Sequence, residues 1–248
     1  MIQSLKNIQS VIGLNLFLLT CLFVFAHLWK VAAIKMGAVH LRPDQLLWYI
    51  ALNEWVLISI PDVQVDMEQD LRSGKLTTLL PRPISYLGSI FCEGLGKLFV
   101  NLLTLGPVAF LFAWWQLGTC PCNFGSFGVW LLLGVLAGIV GVLFQMLVGI
   151  SAFWIKEVSP FNWIWEKLLF VFGGLILPLT VYPLWLQKIA SWTPFPVILG
   201  QRSALAIHFS WGEVTQIVGS LLLWGMIAAL TLLLLYRRGL KILNVEGG

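Results

Sequence analysis

The stretch Asp62-Val-Gln-Val-Asp-Met-Glu-Gln-Asp-Leu-Arg-Ser-Gly-Lys75 interrupts an otherwise oily chain, and its surroundings decide the fold. Seven of the 26 Asp, Glu, Lys and Arg residues lie between Asp62 and Arg82, flanked by apolar segments long enough to cross a bilayer. On a helix, Asp62, Asp66 and Asp70 form an i, i+4, i+8 acidic stripe, with Val63, Met67 and Leu71 as the adjacent apolar stripe. Gly74 stands where a left-handed cap ends such a helix, and Arg72 lies near the negative end of its dipole. Pro81 and Pro83 stop a second short turn through Leu76 to Leu80. The segment reads as a docking element on a protein with almost no soluble mass, against the plainer reading of a charged loop.

Outward from this island the chain is a membrane protein. Of its 248 residues, 59% are hydrophobic and only 10% charged, and the mean hydropathy of +0.90 lies outside the range of soluble globular domains. Lipid offers no partner to an unpaired amide, so about 20 apolar residues must cross as a helix. An all-α, polytopic fold with six spans is expected, in one membrane domain over 1–248: 11–29, 45–61, 98–117, 127–155, 168–186 and 214–236. Lys and Arg favour the cytoplasmic side of short loops. With the N-terminus inside, ten positive residues fall at the inner face and five (Lys30, Lys35, Arg42, Lys188 and Arg202) at the outer, so both termini are expected to be cytoplasmic. The first span lacks a small-x-small cleavage site before His27-Leu-Trp-Lys30 and is expected to remain.

Glycines and prolines indicate how the spans pack. Gly134, Gly138 and Gly141 form a small-residue face that permits close helix approach. Gly173, Gly174, Pro178 and Pro183 predict a kinked fifth span, and 187–212 reads as an outer re-entrant or interfacial segment. Trp114, Trp115, Trp130, Trp185, Trp192 and Trp211 are placed at the outer interface, and Trp154, Trp163 and Trp165 at the inner one.

The chain offers little for catalysis. Ser73-Gly-Lys75 lacks the Walker A pattern, with Gln69 and Leu76 at the positions that need glycine and Ser or Thr. Gly94-Leu-Gly96 is followed by Phe99 where a dinucleotide fingerprint requires glycine or alanine. His27, His40 and His208 are scattered, without zinc spacing or a neighbouring nucleophile. No catalytic residue, no metal site and no nucleic-acid partner is expected. A bridge across Cys120-Pro-Cys122 would be strained, which leaves free thiols or pairing with another chain. Glu93 and Lys97, four apart, read as a local ion pair. Asn53 and Glu54 sit near the middle of the second span, where an ionisable group is costly. Glu54 either lines a substrate cavity or latches two helices, or it is a protonated or hydrogen-bonded carboxyl helped by Asn53.

The stretch Asp70 to Ser85, DLRSGKLTTLLPRPIS, resembles the segment between the second and third spans in permeases of type-2 ABC transporters, with Gly74, Leu76, Leu80, Pro83 and Ser85 matching. Trp192-Thr-Pro-Phe-Pro196, Tyr236-Arg-Arg-Gly-Leu240 and Gly247-Gly248 are similar to later motifs of the short, six-span, separate-chain subgroup. The resemblance implies a bacterial inner-membrane permease that pairs with a second permease chain, identical or related, and with two ATPase subunits that bind ATP and Mg. This chain would itself bind no cofactor. A coupling helix over 62–83 would dock the ATPase through Asp62, Asp66, Met67, Asp70, Leu71, Arg72, Gly74 and Lys75, and export of a lipid-like, glycan or other amphipathic molecule would follow. The competing expectation is an ion- or proton-coupled carrier or a channel.

Overall fold

The computed structural model describes residues 2–36, 43–76, 85–118, 124–155, 157–206 and 208–246. Among them the chain is helical and forms no strand. The expected turns through Leu80, Pro81 and Pro83 and the pair Cys120 and Cys122 lie outside the described residues; Cys21 and Cys92 are free thiols.

Five segments are long and apolar enough to cross a membrane, which supports a multi-pass membrane protein. Helix α1 (Ile2–Met36) turns Ile12, Leu16, Phe17 and Phe23 outward. Its polar side chains are satisfied locally, with Asn15 and Thr20 donating to the carbonyls of Val11 and Leu16. Helix α2 (Pro43–Ser59) starts on a proline, whose missing N–H costs nothing at that position. It packs between α1 and α4 (Tyr86–Leu117), and 72% of the most apolar window in 45–72 is buried. This burial is why its apolar residues run all round rather than along one stripe.

Helix α4 begins twelve residues before the expected start of the third span, at an N-cap where Ser85 Oγ accepts from Gly88 N. Glu93 and Lys97, expected as a local ion pair, lie in this added part of the helix and pair one turn apart at 3.0 Å. Gly118, at φ 64°, closes α4 with its N–H on the Trp114 carbonyl.

Helix α5 (Phe124–Ile150), extended by a 3-10 turn to Phe153, presents the expected glycine face. A Cβ at Gly134 would lie 2.9 Å from the Trp55 ring, at Gly138 2.8 Å from Leu98, and at Gly141 2.5 Å from Ile60. Gly149 continues the face, where a Cβ would meet Met67 Sδ at 2.8 Å. Helices from 43–72 and 86–117 therefore approach α5 at backbone distance. Helix α10 (Trp211–Glu246), which contains the expected last span, packs mainly along α5.

The fifth expected span is not one helix. Helix α6 (Ser159–Phe172) ends at Gly173, Gly174 takes φ +66°, a 3-10 turn covers Leu179–Val181, and α7 (Leu184–Ser191) follows Pro183. Two glycines and two prolines break the segment rather than bend it, since proline lacks the N–H that continues a helix. The chain then turns inward through α8 (Phe195–Ile198) and α9 (Gly200–Ala204), whose Val197, Ile198 and Arg202 are buried. Of the tryptophans expected at the interfaces, Trp130 and Trp165 are packed against protein, Trp165 stacking on Phe144 at 4.9 Å and leaning on Phe195 at 5.1 Å.

The glycine face makes a quantitative demand. Gly134→Val drives a branched side chain into Trp55, and we expect a loss of about 1–3 kcal/mol, the usual cost of overpacking. Thermal unfolding in detergent would show it as a lowered midpoint, whereas Gly96→Ala, inside a helix with nothing within 4 Å, does not lower the midpoint.

Candidate functional site

The charged island folds as the amphipathic helix α3 (Val63–Arg72) between α2 and α4. Ser73 N and Gly74 N bond the carbonyls of Gln69 and Leu71, and Gly74 takes φ +67°, the left-handed cap expected of it. Arg72 reaches back one turn to Glu68 at 2.6 Å.

The two expected stripes have different fates. Val63 and Met67 are buried, with Leu71 partly so: Val63 fits over Gly94 of α4, and Met67 fits over Gly149 of α5. The acidic stripe is divided. Asp66 receives Lys97 Nζ of α4 at 2.6 Å, and Lys97 also holds Glu93. Asp70 is buried and receives Lys75 Nζ at 2.7 Å, a bond that raises the Lys75 pKa above its usual value. Asp62 accepts from Gln64 Nε2 at 3.1 Å. The outward face of α3 consists of Asp62, Val65, Gln69 and Arg72, continued by Gly74 and Lys75. Val65 and Gln69 were not legible from the sequence stripes, because Val65 belongs by type to the buried face yet stands 54% exposed.

Apolar contact anchors α3 more firmly than charge does. A buried Met contributes about 1.5–3 kcal/mol, whereas the half-exposed Asp66–Lys97 pair contributes at most about 1 kcal/mol. Clefts flank the helix on both sides. One of about 800 Å³ separates it from α1 and α4, with Ser10, Asp62, Asp66, Glu93 and Lys97 on its walls. Another of about 220 Å³ lies against α6, between Gln64, Glu68, Asn162 and Glu166.

A second polar constellation lies halfway along α2. Tyr49 donates its hydroxyl to the Gly174 carbonyl, and Asn53 Nδ2 donates to the Leu175 carbonyl at 3.0 Å. The unwound backbone between α6 and α7 thus finds its partners on α2. Gly200 N closes the knot on the Gly173 carbonyl at 2.9 Å. Gly200 has to be glycine, because a Cβ would lie 2.5 Å from that carbonyl and 2.7 Å from the Tyr49 hydroxyl. Arg202 is 1% exposed and donates Nη2 to the Leu52 carbonyl at 2.8 Å. Its Nε and Nη1, the Ser203 hydroxyl and Asn53 Oδ1 have no partner among the described residues. A buried guanidinium without a neutralising anion is costly, so such a residue is expected to serve a function.

Asn53, expected in a cavity with Glu54, therefore braces the broken segment. Glu54 is 4% exposed and has neither hydrogen bond nor ion pair among the described residues. Arg202 and Tyr49 were not singled out by the sequence. The only signal was an arginine inside the apolar run from Pro196, and loop charge assigned it to the outer face. A third cleft, about 440 Å³ and apolar, opens between α2, α4 and α5 at Trp48, Trp55, Pro107 and Phe110. Among the described residues no three His, Cys, Asp or Glu side chains group as metal ligands.

Compared with protein-family models, curated proteins and solved structures, the chain matches none. The site is therefore read from its own geometry.

The knot gives a direct test. Gly200→Ala should lower the thermal midpoint, with a loss of about 1–3 kcal/mol from overpacking, and Gly200→Ala combined with Tyr49→Phe should lose less than the sum of the two single losses, because the hydroxyl is one of the two obstacles.

Proposed function

We propose that the chain is the permease subunit of an ATP-driven transporter of the type-2 ABC class. It would work with a second permease chain and two ATPase subunits, which hold ATP and Mg, and it would move an amphipathic small molecule outward across a bacterial inner membrane with both its termini in the cytoplasm. The carrying observation is the mechanical placement of α3. This amphipathic helix joins the second and third long helices, buries Val63 and Met67 against glycines of α4 and α5, and is tied to α4 by Asp66–Lys97. A push on its outward face acts on three crossing helices at once. The flanking clefts supply room for the edges of a partner surface. The sequence resemblance over Asp70 to Ser85 supports the same reading.

In this reading the docking face is not the whole acidic stripe. Val65, Gln69 and Arg72 meet the ATPase, while Met67, Asp66 and Asp70 transmit or brace. One observation favours the competing reading of an ion- or proton-coupled carrier: helices broken at membrane depth beside buried polar groups are the usual form of such sites. The two readings differ in their source of energy.

Affinity purification of the tagged chain from its native membrane, followed by ATP hydrolysis measurements, separates them. Co-purifying ATPase activity is expected. Val65→Glu together with Gln69→Ala should reduce that recovery at least tenfold without loss of membrane insertion. Met67→Ala should keep the partner bound but weaken the dependence of hydrolysis on the permease. Recovery of the chain with no ATPase under conditions that preserve the bilayer would refute the proposal.

A further inference from the structure

We propose that Arg202 is the recognition centre of a buried oxyanion site, so that the molecule handled by this chain carries a phosphate or carboxylate group. The proposal rests on the permease reading only for the statement that this molecule is cargo; the binding itself needs no ATPase.

Arg202 is 1% exposed and reaches the Leu52 carbonyl, nine residues into a 17-residue helix and so near its middle. A carbonyl dipole satisfies one N–H but does not neutralise a cation. Among the described residues Tyr49 is the only titratable group that acts on Arg202 electrostatically, and its hydroxyl is already committed to Gly174. Glu54, two residues along α2 from the Leu52 carbonyl that Arg202 reaches, makes no ion pair with it. Arg202 Nε and Nη1 and the fully buried Ser203 hydroxyl therefore remain as donors without acceptors. Buried guanidinium groups ordinarily occur with a carboxylate or phosphate, whose oxygens complete the donor set.

The surroundings allow such a group to enter. Arg202 lies on α9, a five-residue helix attached through Gly200 to the unwound chain at Gly173. The unwound side of this contact is held to α2 by Tyr49 and Asn53, and the α9 side by the bond from Arg202 to Leu52. Parting them opens the guanidinium without unwinding a long helix. Irregular backbone at membrane depth is tolerated where it is buried in protein or lines a cavity, and here it is buried.

The experiment uses the purified full chain in nanodiscs of three kinds: phosphatidylcholine alone, phosphatidylcholine with free inorganic phosphate, and phosphatidylcholine with phosphatidic acid. Thermal midpoints are read in about 0.5 M salt, which screens the exposed Lys and Arg residues but not a buried one. A rise of a few degrees with phosphatidic acid is expected, and a rise with inorganic phosphate as well would show that the oxyanion suffices without its tail. Arg202→Gln should abolish the response. If that variant does not fold, Ser203→Ala serves instead, because it removes a second unpartnered donor beside Arg202. It should leave the chain folded in phosphatidylcholine and weaken the anion response. No rise with either anion, or an equal rise in the variants, overturns the proposal. That result would leave the permease reading intact with an uncharged cargo, whereas absence of a co-purifying ATPase would leave the oxyanion site intact.

Discussion

A helix broken inside a protein must satisfy its freed backbone groups there, and the break after Phe172 is answered by α2. The carbonyls of Gly173, Gly174 and Leu175 point away from any helix ladder, and they are taken by Gly200 N, Tyr49 and Asn53. Each unsatisfied group in hydrocarbon would cost several kcal/mol, more than any surface ion pair in the molecule supplies. This requirement explains why the segment at 45–72 is the most buried of the five apolar ones. Helix α2 carries polar side chains on the face turned to the break, and the rest of its surface is covered by α1, α4 and α5. Asn53 in the middle of a span is therefore a brace before it is anything else.

Glycine on α5 is the second determinant. Gly134, Gly138, Gly141 and Gly149 each admit a bulky neighbour: Trp55, Leu98, Ile60 and Met67. In lipid, apolar side chains gain little by leaving one hydrocarbon for another, so close packing rather than burial decides which helices meet. The four positions lie along one face from the middle of α5 to its end, and they seat α2, α4 and α3. The charged helix is held to the bundle by the same device that holds the crossing helices to one another.

The sequence disclosed what depends on local chemistry. The capped amphipathic helix at Val63–Arg72 followed from its spacing and from Gly74, and the small-residue face of α5 from Gly134, Gly138 and Gly141. It did not disclose what depends on distant partners. Lys97 lies 31 residues from Asp66, so their pairing, which ties α3 to α4, left no local trace. The same holds for Arg202, 150 residues from Leu52, which charge alone placed in a loop. Glycines and prolines at 173–183 foretold an irregularity, but whether the chain bends or breaks depends on whether a neighbour can satisfy the freed carbonyls. Tyr49 and Asn53, 125 and 121 residues away, provide that neighbour.

The polar knot and the charged helix share one element, and this links the two halves of the functional reading. From Leu52, which receives Arg202, to Ser59, the last residue of α2, is about 10 Å of helix. The chain then passes through Pro61 directly into α3, with only Ile60, Pro61 and Asp62 between. Ser59 sits in this stretch with its hydroxyl on the Trp55 carbonyl and its own carbonyl receiving Asn101 of α4. Helix α2 is clamped at Trp55, whose indole donates to the Leu102 carbonyl and packs on Gly134. A rigid rod clamped near its middle responds to force at one end by tilting rather than stretching. A load applied to α3 would thus reach the Tyr49, Leu52 and Asn53 level as a lateral shift, the direction that parts α2 from the irregular backbone it holds closed.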